Sequence, residues 1–145
     1  MRSAHPKRLT PPSAPGDLLK SFLSAPKPRK AECDNSADYL DKIRDLPCLK
    51  CGMEPCEAAH VRFASAAYGK SSGLGKKPDD KWALSLCSYC HRLSRYSQHN
   101  RGEQQFWNDL GINPLRVCEQ LWDQRDDLVA MRHVVMVTIA NRGKR

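Results

Sequence analysis

The stretch SLCSYCHRLSRYSQHN, residues 85–100, decides the fold because it sets cysteines and histidines at the spacing of metal ligands. Cys87 and Cys90 form a CxxC pair, in which a tight turn brings both thiolates to one side. His91 follows Cys90 directly, and His99 comes later. Neighbouring residues on a helix point about 100° apart, so a metal bound by Cys90 leaves His91 facing another direction. The stretch therefore predicts a closed metal site and a histidine available for a separate role.

A second CxxC pair, Cys48 and Cys51, lies upstream. Two such pairs are a typical donor set of a structural zinc site, which is tetrahedral and has no open coordination position. Cys56 is close enough in sequence to compete as a ligand, but two complete pairs make it redundant. We expect one Zn²⁺ ion to be bound by Cys48, Cys51, Cys87 and Cys90. This ion should stabilise the fold and take no part in a reaction.

Composition narrows the class of protein. The chain has 145 residues, enough for one modest domain, and a net charge of +8. Its first residues are basic and proline-rich, and no run is long enough for a membrane span, so we expect a cytoplasmic protein with no membrane partner. Thiols stay reduced in the cytoplasm, and the cysteine count of 7 is odd, which favours a metal over disulfides.

Three regions are predicted along the chain. Residues 1–35 are rich in proline and basic side chains and poor in large apolar ones, which indicates a disordered basic arm. Residues 36–112 contain both CxxC pairs and form the predicted zinc-stapled domain. Residues 113–145 form a helical extension, in which Pro114 suits the first position of a helix.

Local patterns predict short elements in the zinc-stapled domain. Ser36 is a typical N-cap for a helix that ends before Pro47. Strands are expected within residues 57–64 and 81–87, on either side of a mobile basic loop. The other expectations are a helix from Ser88 that fades before Asn100, a brief helix closed by Gly111, and a longer helix that includes Val117, Leu121, Leu128 and Met131. Residues 133–140 suit either a helix or an edge strand.

The segments PCLKC, AAHVR, KPDDKWALSLC and CSYCH together resemble the HNH endonucleases, also called ββα-metal nucleases. The continuation QHNRGEQQFW is similar to prophage and bacterial HNH proteins linked to recombination. The resemblance covers about residues 39–122. It implies an α+β fold with a small ββα-metal core, stapled by the zinc and flanked by helices. It also implies a DNA endonuclease that hydrolyses phosphodiester bonds with Mg²⁺ or another divalent cation, and makes a recombination protein a candidate partner.

The resemblance also implies roles for individual residues. His60 matches the general base that takes a proton from the attacking water, a task that suits a neutral imidazole. His91 matches a ligand of the catalytic cation. Asp80 stands where the family has its middle polar residue, as a ligand or an orienting group, and Asp79 is the rival for that position.

Two departures from the family pattern concern the catalytic metal. Many members have a metal ligand directly before the first histidine, where this chain has Ala59. His99 is the candidate replacement, although on an uninterrupted helix it would lie about 12 Å from His91, at about 1.5 Å per residue. A bend near residues 96–98 is therefore required if His99 is to join His91 and Asp80 as a ligand.

Basic charge is concentrated around these histidines, since residues 61–102 have Asp79 and Asp80 as their acidic residues against many lysines and arginines. A solvated face is the plain interpretation of such a cluster, but beside a metal site it favours a polyanion such as DNA. The expected phosphate contacts are Arg62, Lys70, Lys76 and Lys77. The alternative function, kept open by Ala59, is a non-catalytic zinc-dependent nucleic-acid-binding module on a decayed HNH scaffold.

Overall fold

Residues 36–72 and 75–143 are described by the structure, a computed structural model, and they fall within one unit that spans Cys33–Arg145. The predicted basic arm lies outside the described residues. The α-helices, the strands and a π-helical turn come in the order α1 (Ala37–Arg44), β1 (Glu57–His60), β2 (Ala83–Leu86), the π-helical turn (Tyr89–Leu93), α2 (Gln98–Arg101), α3 (Glu103–Leu110), α4 (Pro114–Asp123) and α5 (Leu128–Asn141). Two short 3₁₀ helices, Ala66–Tyr68 and Asp80–Trp82, lie between β1 and β2. This confirms the coarse prediction of a mixed α and β fold with a four-cysteine cluster.

Helix α1 begins where its sequence predicts. The Ser36 hydroxyl accepts a hydrogen bond from the Tyr39 backbone N–H, which satisfies one of the free donors of the first turn. Tyr39 and Ile43, one turn apart, are buried on the face that packs against the sheet and the C-terminal helices. The helix thereby delivers the chain to the first CxxC pair.

The sheet consists of β1 and β2, which pair antiparallel with Glu57 opposite Leu86 and His60 opposite Ala83. All four residues of β2 are buried, whereas the side chains of Glu57 and His60 are partly exposed. The first strand lies within the predicted range of residues 57–64 and ends at His60, after which the backbone N–H groups of Arg62 and Phe63 donate to Glu103. The two ends of β1 therefore present two different polar side chains, Glu57 and His60.

The predicted long C-terminal helix is wrong, because the chain breaks it into α4 and α5. Pro114 opens α4 as expected, but the Asp127 carboxylate accepts hydrogen bonds from the Val129 and Ala130 backbone N–H groups and starts a new helix. Residues 133–140 lie inside α5, so the edge-strand alternative is also wrong. No helix in the described ranges is long and apolar enough to cross a membrane.

One hydrophobic core joins the helices to the sheet. Its largest fully buried members include Trp107 of α3, Leu121 of α4 and Met131 of α5, together with Leu84 of β2. Because these side chains come from every part of the described chain, α4 and α5 pack as part of the same folded unit. The core fixes the positions of β1, β2 and the π-helical turn, which carry the candidate functional residues.

Candidate metal centre and candidate active site

The four predicted cysteines form a cluster. Their sulfur atoms all lie within 4.8 Å of one another, and the sulfurs of Cys51 and Cys87 are 3.6 Å apart. Thiolates bound to one tetrahedral zinc ion at about 2.3 Å lie about 3.8 Å from each other, so the spacing fits zinc. The cluster could therefore hold a metal ion and is compatible with the expected zinc.

A fifth cysteine packs against this cluster. Cys56 is buried, and its thiol donates a hydrogen bond to the Met53 carbonyl at 3.3 Å. A hydrogen bond from Cys56 also lowers the pKa of the Cys48 thiol, which favours the thiolate that a metal requires. Cys118 lies elsewhere, buried in the core behind Ala83. Cys56 thus neighbours the group without belonging to the set of four.

The π-helical turn directs its adjacent residues Cys90 and His91 to two different sites. Cys90 is buried in the cysteine cluster, while the ring of the next residue, His91, contacts Glu57 on β1. The turn therefore presents one side chain to the metal cluster and the next to a different group.

Glu57 was missed by the sequence analysis and is the closest polar partner of His91. Its Oε2 lies 2.7 Å from His91 Nδ1, and Arg92 holds the same carboxylate with two hydrogen bonds of 3.1 and 2.7 Å. The bonds from Arg92 keep the pKa of Glu57 below its ordinary value, so Glu57 is an acceptor at neutral pH. His91 Nδ1–H is then the donor, which leaves Nε2 as the atom for a metal. The signal in the sequence that could have identified Glu57 is its position three residues before His60.

His99 lies next to His91 despite its distance in sequence. The two ring centroids are 4.6 Å apart, edge to face. The chain leaves the π-helical turn at Ser94, which has extended backbone, and starts α2 after Ser97, whose hydroxyl caps the new helix. The bend required for His99 to approach His91 is therefore present. Burial and the neighbouring His91 both lower the pKa of His99, which favours the neutral ring that binds metals.

His60 is paired with Asp80. Nε2 of His60 lies 3.1 Å from Oδ1 of Asp80. Burial alone would raise the pKa of the Asp80 carboxyl, but hydrogen bonds from Lys77 and His60 outweigh burial and leave the pKa below its usual value. The carboxylate is thus ionised, and Nε2 of His60 carries the proton that it donates. Nδ1 of His60 remains as the basic atom.

Burial, together with the nearby charges of Lys77 and Arg62, lowers the pKa of His60 below its ordinary value despite the opposing effect of Asp80. The ring is therefore neutral at pH 7, as a general base must be. Asp80 is itself held rigidly: Oδ1 also lies 2.9 Å from the Lys77 ammonium, and Oδ2 accepts from the Ser36 backbone N–H at 3.0 Å. Asp80 therefore links the N-cap residue of α1 to the imidazole of His60, which it orients.

Glu103 is a second residue that sequence reasoning missed. Its carboxylate accepts hydrogen bonds from the backbone N–H groups of Arg62 and Phe63 and from the Gln98 side chain. Gln98 also donates to the His60 carbonyl at 3.4 Å. Glu103 at the start of α3 thus anchors the end of β1 to the segment that carries His99.

The predicted DNA contacts divide into accessible and inaccessible residues. Arg62 and Lys76 are exposed, and Lys77 is exposed although paired with Asp80. Lys70, in contrast, is buried, and its ammonium donates to the Phe63 carbonyl at 2.8 Å. The predicted phosphate contact by Lys70 does not fit the structure, because its ammonium group is buried and bonded to the backbone of the loop.

The histidine and aspartate side chains predicted as ligands of the catalytic ion contact other residues in pairs and do not form a group of three. Throughout residues 36–72 and 75–143, the cysteine cluster is the one group of three or more histidine, cysteine or acidic ligand atoms within 4.8 Å of each other. Asp80, expected as a further ligand of the catalytic ion, contacts His60, whereas His91 and His99 contact each other. Comparison with family models, curated proteins and solved structures finds no match to this chain.

Proposed function

We propose that the protein is an HNH-type endonuclease, which hydrolyses phosphodiester bonds of DNA with the help of a divalent cation. The observation that carries the proposal is the contact between His60 and Asp80, because it leaves a neutral imidazole with a defined basic atom. The resemblance of the sequence to ββα-metal nucleases supports it, as does the order of strand, strand and helical turn between and beside the two CxxC pairs of the cysteine cluster.

In this reaction His60 acts as the general base. The oxygen of a water molecule forms the new bond to phosphorus, and one of its protons passes to Nδ1 of His60. The bond from phosphorus to the leaving ester oxygen breaks, and that oxygen takes a proton from solvent water. Asp80 fixes the tautomer and orientation of the imidazole and stabilises the imidazolium that forms. The proton transfer thus depends on His60 and Asp80, whose side chains are in contact.

His91 and His99 are the proposed ligands of the divalent cation. Imidazoles that share one ion at about 2.1 Å have ring centroids roughly 4.5 to 6.5 Å apart, and the observed separation of 4.6 Å falls at the lower end of that range. A bound cation would stabilise the negative charge on the phosphate in the transition state. Two protein ligands would leave coordination positions for a phosphate oxygen and for the water molecules that Mg²⁺ usually keeps.

The test is nicking of supercoiled plasmid by the purified protein with Mg²⁺, Mn²⁺ or Ni²⁺. His60→Ala should abolish nicking while zinc content and circular dichroism stay unchanged. His133→Ala, which changes an exposed histidine of α5 outside the site, should cut like the wild type. Unchanged nicking by His60→Ala would refute the assignment of the base.

The second candidate function is a zinc-dependent nucleic-acid-binding module without catalysis. It is favoured by one observation, the lack of a third protein ligand beside His91 and His99 in the described part of the chain. Salt-sensitive DNA binding with no cleavage under any of the three cations would support this function against the nuclease.

A further inference from the structure

We propose that Tyr89–Arg101, named here the aromatic–basic segment, binds a single-stranded stretch of nucleic acid next to the cleavage site. This inference rests on the proposed function for the nucleic acid itself and adds the strandedness of the substrate. The segment carries both proposed metal ligands, His91 and His99, so a strand that lies along it would pass the reaction centre.

The first observation is the exposure of large side chains on this segment. Tyr89 is 65% exposed, Leu93 66% and Tyr96 52%. Folding alone gives no reason to keep three such side chains in water within a short stretch, and exposed apolar clusters mark binding surfaces. The exposure of Tyr89 and Tyr96 leaves their rings accessible for stacking.

The second observation is the charge around these rings. The aromatic–basic segment has three arginines and no carboxylate of its own. Arg92 is paired with Glu57 and Arg101 with Asp109. Arg95 therefore supplies the uncompensated charge of the segment. The guanidinium of Arg95 lies 4.9 Å from the centroid of the Tyr96 ring. Lys50 approaches from another part of the chain, and its ammonium donates to the Tyr96 carbonyl at 2.9 Å. Aromatic rings interleaved with cations suit the bases and phosphates of one strand.

The third observation is a recess beside Tyr96. A cavity of about 90 Å³ is lined by Lys50, Tyr96, Arg101, Phe106, Asp109 and Leu110. Arg101 is paired with Asp109 at 3.0 Å, so the ammonium of Lys50 supplies the uncompensated positive charge of the recess. The recess has an apolar wall and a cation at its edge, which suits a base together with its phosphate.

Exposed rings favour a single strand over a duplex. In a duplex the faces of the bases are covered by their neighbours, so Tyr89 and Tyr96 could not stack on them, whereas unpaired bases offer a free face. Phosphate contacts alone would serve either form. A second copy of this chain is a less suitable occupant, because Arg95 and Lys50 of each copy would face those of the other and repel.

The test is fluorescence anisotropy with a labelled oligothymidine and a labelled duplex of equal length, with no divalent cation added. The wild type should bind the single strand more tightly. Tyr89→Ala and Tyr96→Ala should each weaken single-strand binding about 5- to 150-fold, the range expected for one lost base stack, with little change for the duplex. The Tyr→Phe variants should retain binding because they keep the ring.

Met136→Ala, which changes an exposed side chain of α5, is the control for loss of apolar surface. Equal affinity for the two nucleic acids would overturn the proposal, as would alanine variants that bind like the control. A dimer that dissociates in Tyr89→Ala or Tyr96→Ala, seen by light scattering, would assign the surface to contact between copies. Because no cleavage is measured, a failure of the nuclease proposal would not produce any of these results.

Discussion

Glu57 Oε2 lies 2.7 Å from Nδ1 of His91, and this contact connects the first strand to the helical turn that follows the second. Because Nδ1 of His91 is bonded to Glu57, Nε2 is the ring nitrogen that is free to bind a metal ion. Carboxylates that accept from the second nitrogen of a metal-binding histidine orient the ring and raise its basicity. If His91 binds the proposed catalytic ion, Glu57 is the residue that would orient its ring.

We expect Glu57→Ala to raise the Mn²⁺ concentration that gives half-maximal plasmid nicking by about 10- to 100-fold. Glu57→Gln should fall between this variant and the wild type, because an amide oxygen still accepts from His91. Glu54→Ala removes an exposed carboxylate paired with Arg132 and is the matched control. Equal Mn²⁺ dependence of Glu57→Ala and Glu54→Ala would show that Glu57 has no such role.

Asp80→Asn should reduce nicking by about 100-fold or more, because an amide can donate to Nε2 of His60 and favour the wrong tautomer. Measured as kcat/KM against pH, activity should fall as His60 gains a proton. Since burial lowers the pKa of His60, the wild-type acid limb should lie below pH 6.5. Asp80 raises that pKa, so its loss should move the limb to still lower pH. A limb that moves to higher pH would contradict this assignment.

Cys48→Ser should lose the metal and the fold together. A structural zinc site supplies about 10 to 16 kcal/mol, comparable with the roughly 5 to 15 kcal/mol by which whole domains are stable. Zinc content by atomic absorption and the loss of cooperative thermal unfolding are the measurements. Cys118→Ala changes a buried cysteine outside the cluster and should keep the zinc. A folded, zinc-free Cys48→Ser protein would exclude the stabilising role of the metal.

Asp127→Ala should lower the free energy of unfolding by about 1 kcal/mol, because the side chain caps two backbone N–H groups of α5. Urea unfolding followed by circular dichroism measures this change. The neighbouring Asp126 is exposed and does not cap the helix, so Asp126→Ala should change stability by less than about 0.5 kcal/mol. Equal effects of the two substitutions would mean that the cap does not stabilise α5.

Several features of the fold and of the candidate site were predictable because they depend on short spacings. The Ser36 cap, the opening of α4 at Pro114 and the closure of α3 at Gly111, which has a left-handed backbone conformation, follow from the chemistry of single residues. The missed break between α4 and α5 had a local signal in the Asp127 cap, but the apolar repeat across it suggested a continuous helix.

The sequence by itself determined the four-cysteine cluster, since each CxxC pair is a local unit that needs a second pair to complete a tetrahedral donor set. The tertiary structure alone decided the partners of the histidines: Glu57 with His91, Asp80 with His60, and His99 folded back on His91. It also decided the burial of Lys70. These contacts join residues far apart in the chain, and their geometry depends on how the core packs β1 against the π-helical turn. No local pattern encodes that packing.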